Sequence, residues 1–194
     1  MNLPNKLTML RMALAVVFLL FMHLPGVAAK VITLVIFTVA ALTDWLDGRI
    51  AKSQNMVTDF GKFMDPLADK VLVFSAFLSF LWMQLIAVWM VMAIIAREMI
   101  ITGLRIFALS RGEVLAASKG GKHKTVSQMV AIFIILFSLI YREAAKNYLL
   151  THPQIDRAIE ASIYLAMLST VILTLISGAS YFWNNRHLFY NNKG

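Results

Sequence analysis

The chain of 194 residues is 60% hydrophobic and only 14% charged. A soluble domain of this length cannot bury that much apolar surface, so the composition indicates a membrane protein. The sequence contains no cysteine, which excludes disulfides and thiolate-ligated metal, and any metal must therefore be held by oxygen or imidazole.

The net charge of +8 is compatible with two kinds of partner, nucleic acid and anionic lipid. No run of basic residues is interleaved with solvent-exposed aromatic residues, so we expect no nucleic-acid partner. In a chain this apolar, basic loops are typical of segments that face anionic lipid and the cytoplasm.

Six apolar segments are long enough to cross a bilayer core, which takes about 20 helical residues. They cover residues 7–24, 28–51, 64–82, 85–109, 125–147 and 157–183. A bilayer requires internally satisfied backbone hydrogen bonds, so we expect helices rather than barrel strands. The prediction is an all-α polytopic membrane protein with six transmembrane helices in one domain, residues 1–194. The first segment also resembles a signal peptide, but we expect a retained span.

The distribution of Lys and Arg predicts the orientation of these spans. With the N-terminus inside, twelve of the 18 Lys and Arg residues lie on the inner side, four lie outside and two fall within the fourth span. The positive-inside rule therefore favours two cytoplasmic termini.

Five of the ten acidic residues lie within one stretch that ends the second span and opens the third: Asp44, Asp47, Asp59, Asp65 and Asp69. Asp44 and Asp47 are three residues apart, and Asp65 and Asp69 are four apart, so each pair shares one helix face. Because the connection between the two spans is short, we expect the helices to be antiparallel neighbours whose carboxylates converge.

Four converging carboxylates need a counter-charge. Two unit charges ~5 Å apart repel by about 3 kcal/mol at an effective dielectric of ~20. Divalent cations remove this conflict, and an all-oxygen site favours Mg²⁺, Mn²⁺ or Ca²⁺. Two ions that share carboxylates could act as a phosphoryl-transfer clamp. The alternative is that these acids are merely solvated, with Thr58 or Asp59 capping the third helix.

The gapped pattern around these acids resembles the signature of the CDP-alcohol phosphotransferase family. It reads Asp44-x2-Asp47-Gly48-x2-Ala51-Lys52-x8-Gly61-x3-Asp65-x3-Asp69. One position departs from the family pattern, since Lys52 stands where the family usually has Arg. A positive charge remains there, but a bidentate contact to phosphate does not.

Further segments resemble the bacterial branch that transfers a phosphatidyl group from CDP-diacylglycerol to glycerol 3-phosphate. They are 3–8 with Arg11, 43–48, 59–70, 96–98 with Arg105, and 121–125 with Gln128. The resemblance ends near residue 130, and the last two helices show only the expected apolar length. It implies a six-helix homodimer in the cell inner membrane, with a site for two Mg²⁺ or Mn²⁺ ions facing the cytoplasm.

The resemblance also implies roles for individual residues. Metal ligands would be Asp44, Asp47, Asp65 and Asp69. Asp69 would be the catalytic base that accepts the proton of the attacking hydroxyl. The CDP-diacylglycerol contacts would be Asn5, Thr8, Gly48, Ala51, Lys52, Thr58 and Gly61.

The acceptor carries a phosphate dianion and needs its own cationic pocket. The candidates are Arg97, Arg105, Lys122 and Lys124. Arginine inside a span is expensive and indicates a functional partner, although Arg97 could simply pair with Glu98. The implied reaction gives phosphatidylglycerophosphate and CMP. The alternatives are another acceptor in the same family, such as inositol phosphate, and a cation transporter with the aspartates as its transport site.

Overall fold

The computed structural model describes the backbone of residues 3–54, 59–110, 120–147 and 152–186, and the side chains of 9–43, 70–108, 123–146 and 152–186. Within these ranges the chain forms six α-helices and no strand. They are α1 (Leu3–His23), α2 (Val27–Gln54), α3 (Asp59–Trp82), α4 (Val88–Ser110), α5 (Gly120–Asn147) and α6 (Pro153–Asn184).

The six helices confirm the all-α prediction, and each one covers most of a predicted segment. Helices α1, α3 and α5 begin about one turn before the predicted span, as does α6. The prediction counted only apolar residues, whereas the polar turns at these ends continue the helical hydrogen bonding beyond the apolar part.

Two helices have the length and composition of membrane spans within the described residues. These are His123–Lys146 of α5 and Pro153–Asn184 of α6. Shorter apolar runs occupy Met9–His23, Val27–Thr43 and Lys70–Trp82. This pattern is consistent with a membrane protein, and six crossings remain a prediction.

Helix α1 packs between α2 and α3, while α5 packs against α6 and α2, and α4 packs mainly against α6. The Phe37 ring lies 5.9 Å from that of Phe18 and 5.5 Å edge-to-face from that of Phe133, and so joins α1, α2 and α5. The predicted contact between α2 and α3 exists but is small, because both helices use α1 as their main partner.

One end of the bundle contains a buried lysine. Lys30 of α2 donates to the carbonyl oxygens of Met22 and, at 3.1 Å, Leu24, and thereby satisfies the free carbonyls at the C-terminus of α1. The Gly26 N–H donates to Glu143 of α5 over 3.4 Å. We call Lys30, Glu143, the Met22 and Leu24 carbonyls and the Gly26 N–H the far-end cluster, because they lie at the end of α2 opposite Asp44 and Asp47. The cluster links α1, α2 and α5.

The end of α3 is fixed by a Schellman motif centred on a residue that is not glycine. The Leu85 N–H donates to the Phe80 carbonyl over 3.0 Å, and the Gln84 N–H donates to the Leu81 carbonyl over 2.9 Å. Gln84 has φ +57°, a left-handed conformation that a side chain makes unfavourable.

We expect Gln84→Gly to raise the free energy of unfolding by up to about 1 kcal/mol, because glycine adopts this conformation without a Cβ clash. Thermal denaturation of the purified protein in detergent measures the change. Gln84→Ala is the matched control, since it keeps the Cβ and should give no gain. Equal melting temperatures for the two variants would contradict the argument.

Candidate functional site

The predicted metal ligands lie on two helices that meet at a short connection. Asp44 and Asp47 belong to the second half of α2, and Asp65 and Asp69 to the first half of α3. The helical backbone therefore realises the spacing that puts each pair on one face. Only residues 55–58 separate the helices, so the Cα atoms of Gln54 and Asp59 are at most about 18 Å apart.

Several predicted site residues fall outside the described side chains. These are Asn5, Thr8, Asp44, Asp47, Gly48, Ala51, Lys52, Gly61, Asp65, Asp69 and Lys122, whose backbone alone is described, and Thr58, which lies wholly outside. Their roles stay predictions. Among the side chains that are described, no three His, Cys, Asp or Glu residues could hold a metal ion. The donor chemistry and helical register of the four aspartates fit an oxygen-preferring divalent cation.

A buried carboxylate on α4 gathers cations from three helices. Glu98, whose side chain is 9% exposed, accepts from Arg97 Nη1 at 3.1 Å and from Lys124 Nζ. Lys70 Nζ of α3 lies 3.7 Å from the second carboxylate oxygen and also donates to the Thr102 hydroxyl. We call Lys70, Arg97, Glu98 and Lys124 the ionic cluster. In this cluster three basic side chains share one carboxylate.

The ion pair considered for Arg97 in the sequence is thus present, and Lys70 and Lys124 share the same carboxylate. Arg97 is 8% exposed. Its Nη1 donates to Glu98, and its Nη2 donates to the Ser177 hydroxyl of α6 over 3.0 Å. Its Nε has no hydrogen-bond partner among the described residues. A buried guanidinium donor without a partner is available to an oxygen of an anionic ligand.

Arg105 lies two turns further along α4 and is held by a different residue of α6. Its Nε donates to the Tyr181 hydroxyl over 3.4 Å, and its guanidinium lies 5.6 Å from the centre of the Tyr181 ring. The second contact is a cation–π interaction. Tyr181 is 1% exposed, whereas Arg105 is exposed. Of the predicted acceptor residues, Arg97 and Lys124 therefore meet at Glu98, and Arg105 lies beside them against α6.

The ionic cluster shares helix α3 with two of the predicted metal ligands, Asp65 and Asp69. Lys70 immediately follows Asp69 on α3, so the predicted base and a residue of the cluster are consecutive. Sequence reasoning assigned no role to Lys70, to Glu98 beyond its pairing with Arg97, or to Ser177 and Tyr181. One feature of the sequence could have indicated Ser177 and Tyr181. They belong to a set of polar residues that recur at helical spacing in the otherwise apolar α6.

Comparison with known proteins gives a consistent result over nearly the whole chain. The family model described as CDP-alcohol phosphatidyltransferase matches residues 1–176. The chain is 38% identical to the CDP-diacylglycerol–glycerol-3-phosphate 3-phosphatidyltransferase of Bacillus subtilis, and the match covers 95% of each protein.

Two further relatives come from other groups of bacteria. A probable phosphatidylglycerophosphate synthase of Mycobacterium tuberculosis is 35% identical over 93% of this chain and 79% of its own length. A CDP-diacylglycerol–glycerol-3-phosphate 3-phosphatidyltransferase of Pectobacterium atrosepticum is 41% identical over 70% of this chain and 77% of its own length.

We expect Glu98→Gln to lower the free energy of unfolding by about 3–5 kcal/mol, because it leaves buried cations without their counter-charge. Melting or denaturant titration in detergent measures the loss. Glu160→Gln is the matched control. Glu160 pairs with Arg142 at 3.2 Å, but its side chain is 69% exposed, so its loss should change stability by less than about 1 kcal/mol. Similar small effects in both variants would show that the Glu98 contacts contribute little to stability.

Proposed function

Because the chain belongs to the CDP-alcohol phosphatidyltransferase family, we propose that it transfers the phosphatidyl group of CDP-diacylglycerol to sn-glycerol 3-phosphate. The products are phosphatidylglycerophosphate and CMP. The observation that carries the proposal is the near-full-length match to relatives that are named for this reaction. The basic residues Arg97 and Lys124, which share the single carboxylate of Glu98, support an acceptor that carries phosphate.

The donor half of the site is formed by α2 and the start of α3. We assign Asp44, Asp47, Asp65 and Asp69 to two divalent cations, Mg²⁺ or Mn²⁺, which when bound neutralise the diphosphate of the donor. The cytidine diphosphate contacts are assigned to Asn5, Thr8, Gly48, Ala51, Lys52, Thr58 and Gly61. Glycine and alanine at their positions leave room for a ligand to approach the helix backbone.

The reaction is an exchange of one phosphorus–oxygen bond for another. Asp69 accepts the proton of the acceptor hydroxyl, which makes the oxygen a better nucleophile. That oxygen forms a bond to the phosphorus that carries diacylglycerol, while the bond from this phosphorus to the oxygen of CMP breaks. Positioning and charge neutralisation supply most of the catalysis in such transfers.

The acceptor half is assigned to Arg97, Arg105, Lys122 and Lys124. Lys124 and Arg97 share Glu98, and Arg97 keeps one buried donor unpaired among the described residues. Glu98 balances only one of the positive charges of Arg97 and Lys124, and a bound phosphate dianion would supply further negative charge. Serine carries no phosphate and fits this site less well. Inositol phosphate fits the charge equally, and only the names of the relatives favour glycerol 3-phosphate.

The proposed setting is the cell inner membrane. One domain of six spans would place both termini and the site on the cytoplasmic side, in agreement with the excess of Lys and Arg on that side. We assign the functional unit as a homodimer without nucleic acid. The acids are concentrated where α2 and α3 join, whereas a cation transporter would need acids along a path across the bilayer.

The first test measures CMP release by the purified protein in detergent with CDP-diacylglycerol and Mg²⁺. Glycerol 3-phosphate, inositol 1-phosphate, serine and phosphatidylglycerol are offered separately. We expect release with glycerol 3-phosphate alone, its loss on addition of EDTA, and its return with excess Mg²⁺. Release only with another acceptor would overturn the assigned substrate, and release that survives EDTA would overturn the metal assignment.

The assignment of Asp69 as the base predicts that Asp69→Asn lowers kcat by about 10²–10⁴-fold, the usual contribution of a general base. Binding of CDP-diacylglycerol should persist, because three carboxylates remain for the cations. Asp156→Asn, at the distant N-terminus of α6, is the matched control and should keep full activity. An active Asp69→Asn variant would refute the role of Asp69.

A further inference from the structure

The buried face of α6 becomes more polar toward the C-terminus of the helix. Its members are Ile163, Met167, Thr170, Val171, Thr174, Ser177 and Tyr181. Three of them are apolar, and the other four, which begin at Thr170, carry hydroxyl groups. A buried hydroxyl on a membrane helix can hydrogen-bond to its own backbone or to a polar group of a neighbouring helix. Thr170 donates to the Ser127 carbonyl of α5 over 3.1 Å.

The other two hydroxyls of this face with a partner on another helix contact the arginines of α4. The Ser177 hydroxyl accepts from Arg97 Nη2 over 3.0 Å, and the Tyr181 hydroxyl accepts from Arg105 Nε over 3.4 Å. Ser177 and Tyr181 are four residues apart and both are nearly fully buried. One face of α6 thus contacts both arginines predicted to bind the acceptor phosphate.

Gly178 lies between these two contacts and leaves room for the Arg97 side chain. A Cβ at this position would lie 3.0 Å from Arg97 Cγ and 3.3 Å from Arg97 Nε. Both contacts are tight, so the Arg97 side chain would have to shift by a few tenths of an ångström to admit a methyl group. The glycine therefore fixes how closely the guanidinium stem approaches α6, and Nε is the atom of Arg97 that has no hydrogen-bond partner among the described residues.

Long arginine side chains have many rotamers, and a binding site gains affinity when these are restricted before the ligand arrives. Glu98 alone does not fix the orientation, because it contacts only Nη1 of Arg97 and does not reach Arg105 in the described contacts. The contacts from α6 supply the second point of attachment for Arg97 and the aromatic support for Arg105.

We propose that α6 forms the positioning wall of the acceptor site, an inference that rests on the proposed function. Ser177, Gly178 and Tyr181 are positioning residues that hold Arg97 and Arg105 in the geometry that binds the phosphate of the acceptor. They touch the arginines rather than the substrate. Preference for a phosphorylated acceptor thereby depends on a helix that lies outside the segments carrying the family signature.

The central experiment compares Gly178→Ala with Gly103→Ala. A Cβ at Gly103, on α4, would meet no atom of the described residues within 4 Å, so this variant controls for the loss of a helical glycine. We expect Gly178→Ala to raise the KM for glycerol 3-phosphate on the order of tenfold, as for a weakened charge-assisted hydrogen bond. The KM for CDP-diacylglycerol should stay unchanged. Gly103→Ala should match the unaltered protein in both constants.

A second set of variants keeps the test decisive if Gly178→Ala does not fold. Ser177→Ala should raise the acceptor KM, and Ser177→Thr should restore it because the hydroxyl returns. Tyr181→Phe should raise the acceptor KM in the unaltered background and have no further effect in Arg105→Ala, since the two residues act through one contact. Additive effects in that pair would contradict the positioning role of Tyr181.

The outcomes separate this inference from the proposed function. If the unaltered protein uses glycerol 3-phosphate and Gly178→Ala behaves like Gly103→Ala, the positioning wall is refuted and the function stands. Equal increases in donor and acceptor KM would likewise refute it, because that pattern indicates a general loss of structure. If inositol phosphate proves to be the acceptor and its KM rises in Gly178→Ala, the assigned substrate is wrong and the wall is supported.

Discussion

The buried carboxylate of Glu98 is the interaction on which the described part of the site depends. It contacts cations from α3, α4 and α5, and Arg97 extends the connection to Ser177 of α6. Two like charges ~4 Å apart repel by about 4 kcal/mol at an effective dielectric of ~20, so these helix faces would not approach without a counter-charge. One carboxylate holds them together, and the Nε of Arg97 keeps no hydrogen-bond partner among the described residues.

The six helices could be predicted from sequence because a bilayer demands long apolar segments with internally satisfied backbones. Their ends were less predictable, since polar turns at α1, α3 and α5 continue the helix beyond the apolar part. The position of α1 between α2 and α3 could not be predicted. In lipid, an apolar side chain such as Phe18 or Phe37 is compatible with either a helix or an acyl chain as neighbour, so the sequence does not indicate which face is buried.

The candidate site was predictable where its residues are costly to place in a membrane. Arg97, Arg105 and Lys124 stand out in an apolar chain, and the aspartates stand out by their spacing. The contribution of α6 was not predictable, because a hydroxyl in a helix can satisfy itself on its own backbone. Thr33 and Thr38 do so through the carbonyls of Ala29 and Leu34. Only the structure distinguishes such residues from Ser177, which accepts from another helix.

The distance between the charged contacts at the two ends of α5 can be compared with the thickness of a bilayer. Lys124 binds Glu98 near one end, and Glu143 belongs to the far-end cluster with Lys30 and Gly26. At 1.5 Å per residue, these two anchors lie about 28 Å apart along the helix, close to the ~30 Å hydrocarbon core of a bilayer. A free helix adapts to hydrophobic mismatch by tilting. With α5 tied at both ends, a bilayer of another thickness would have to deform around the bundle instead.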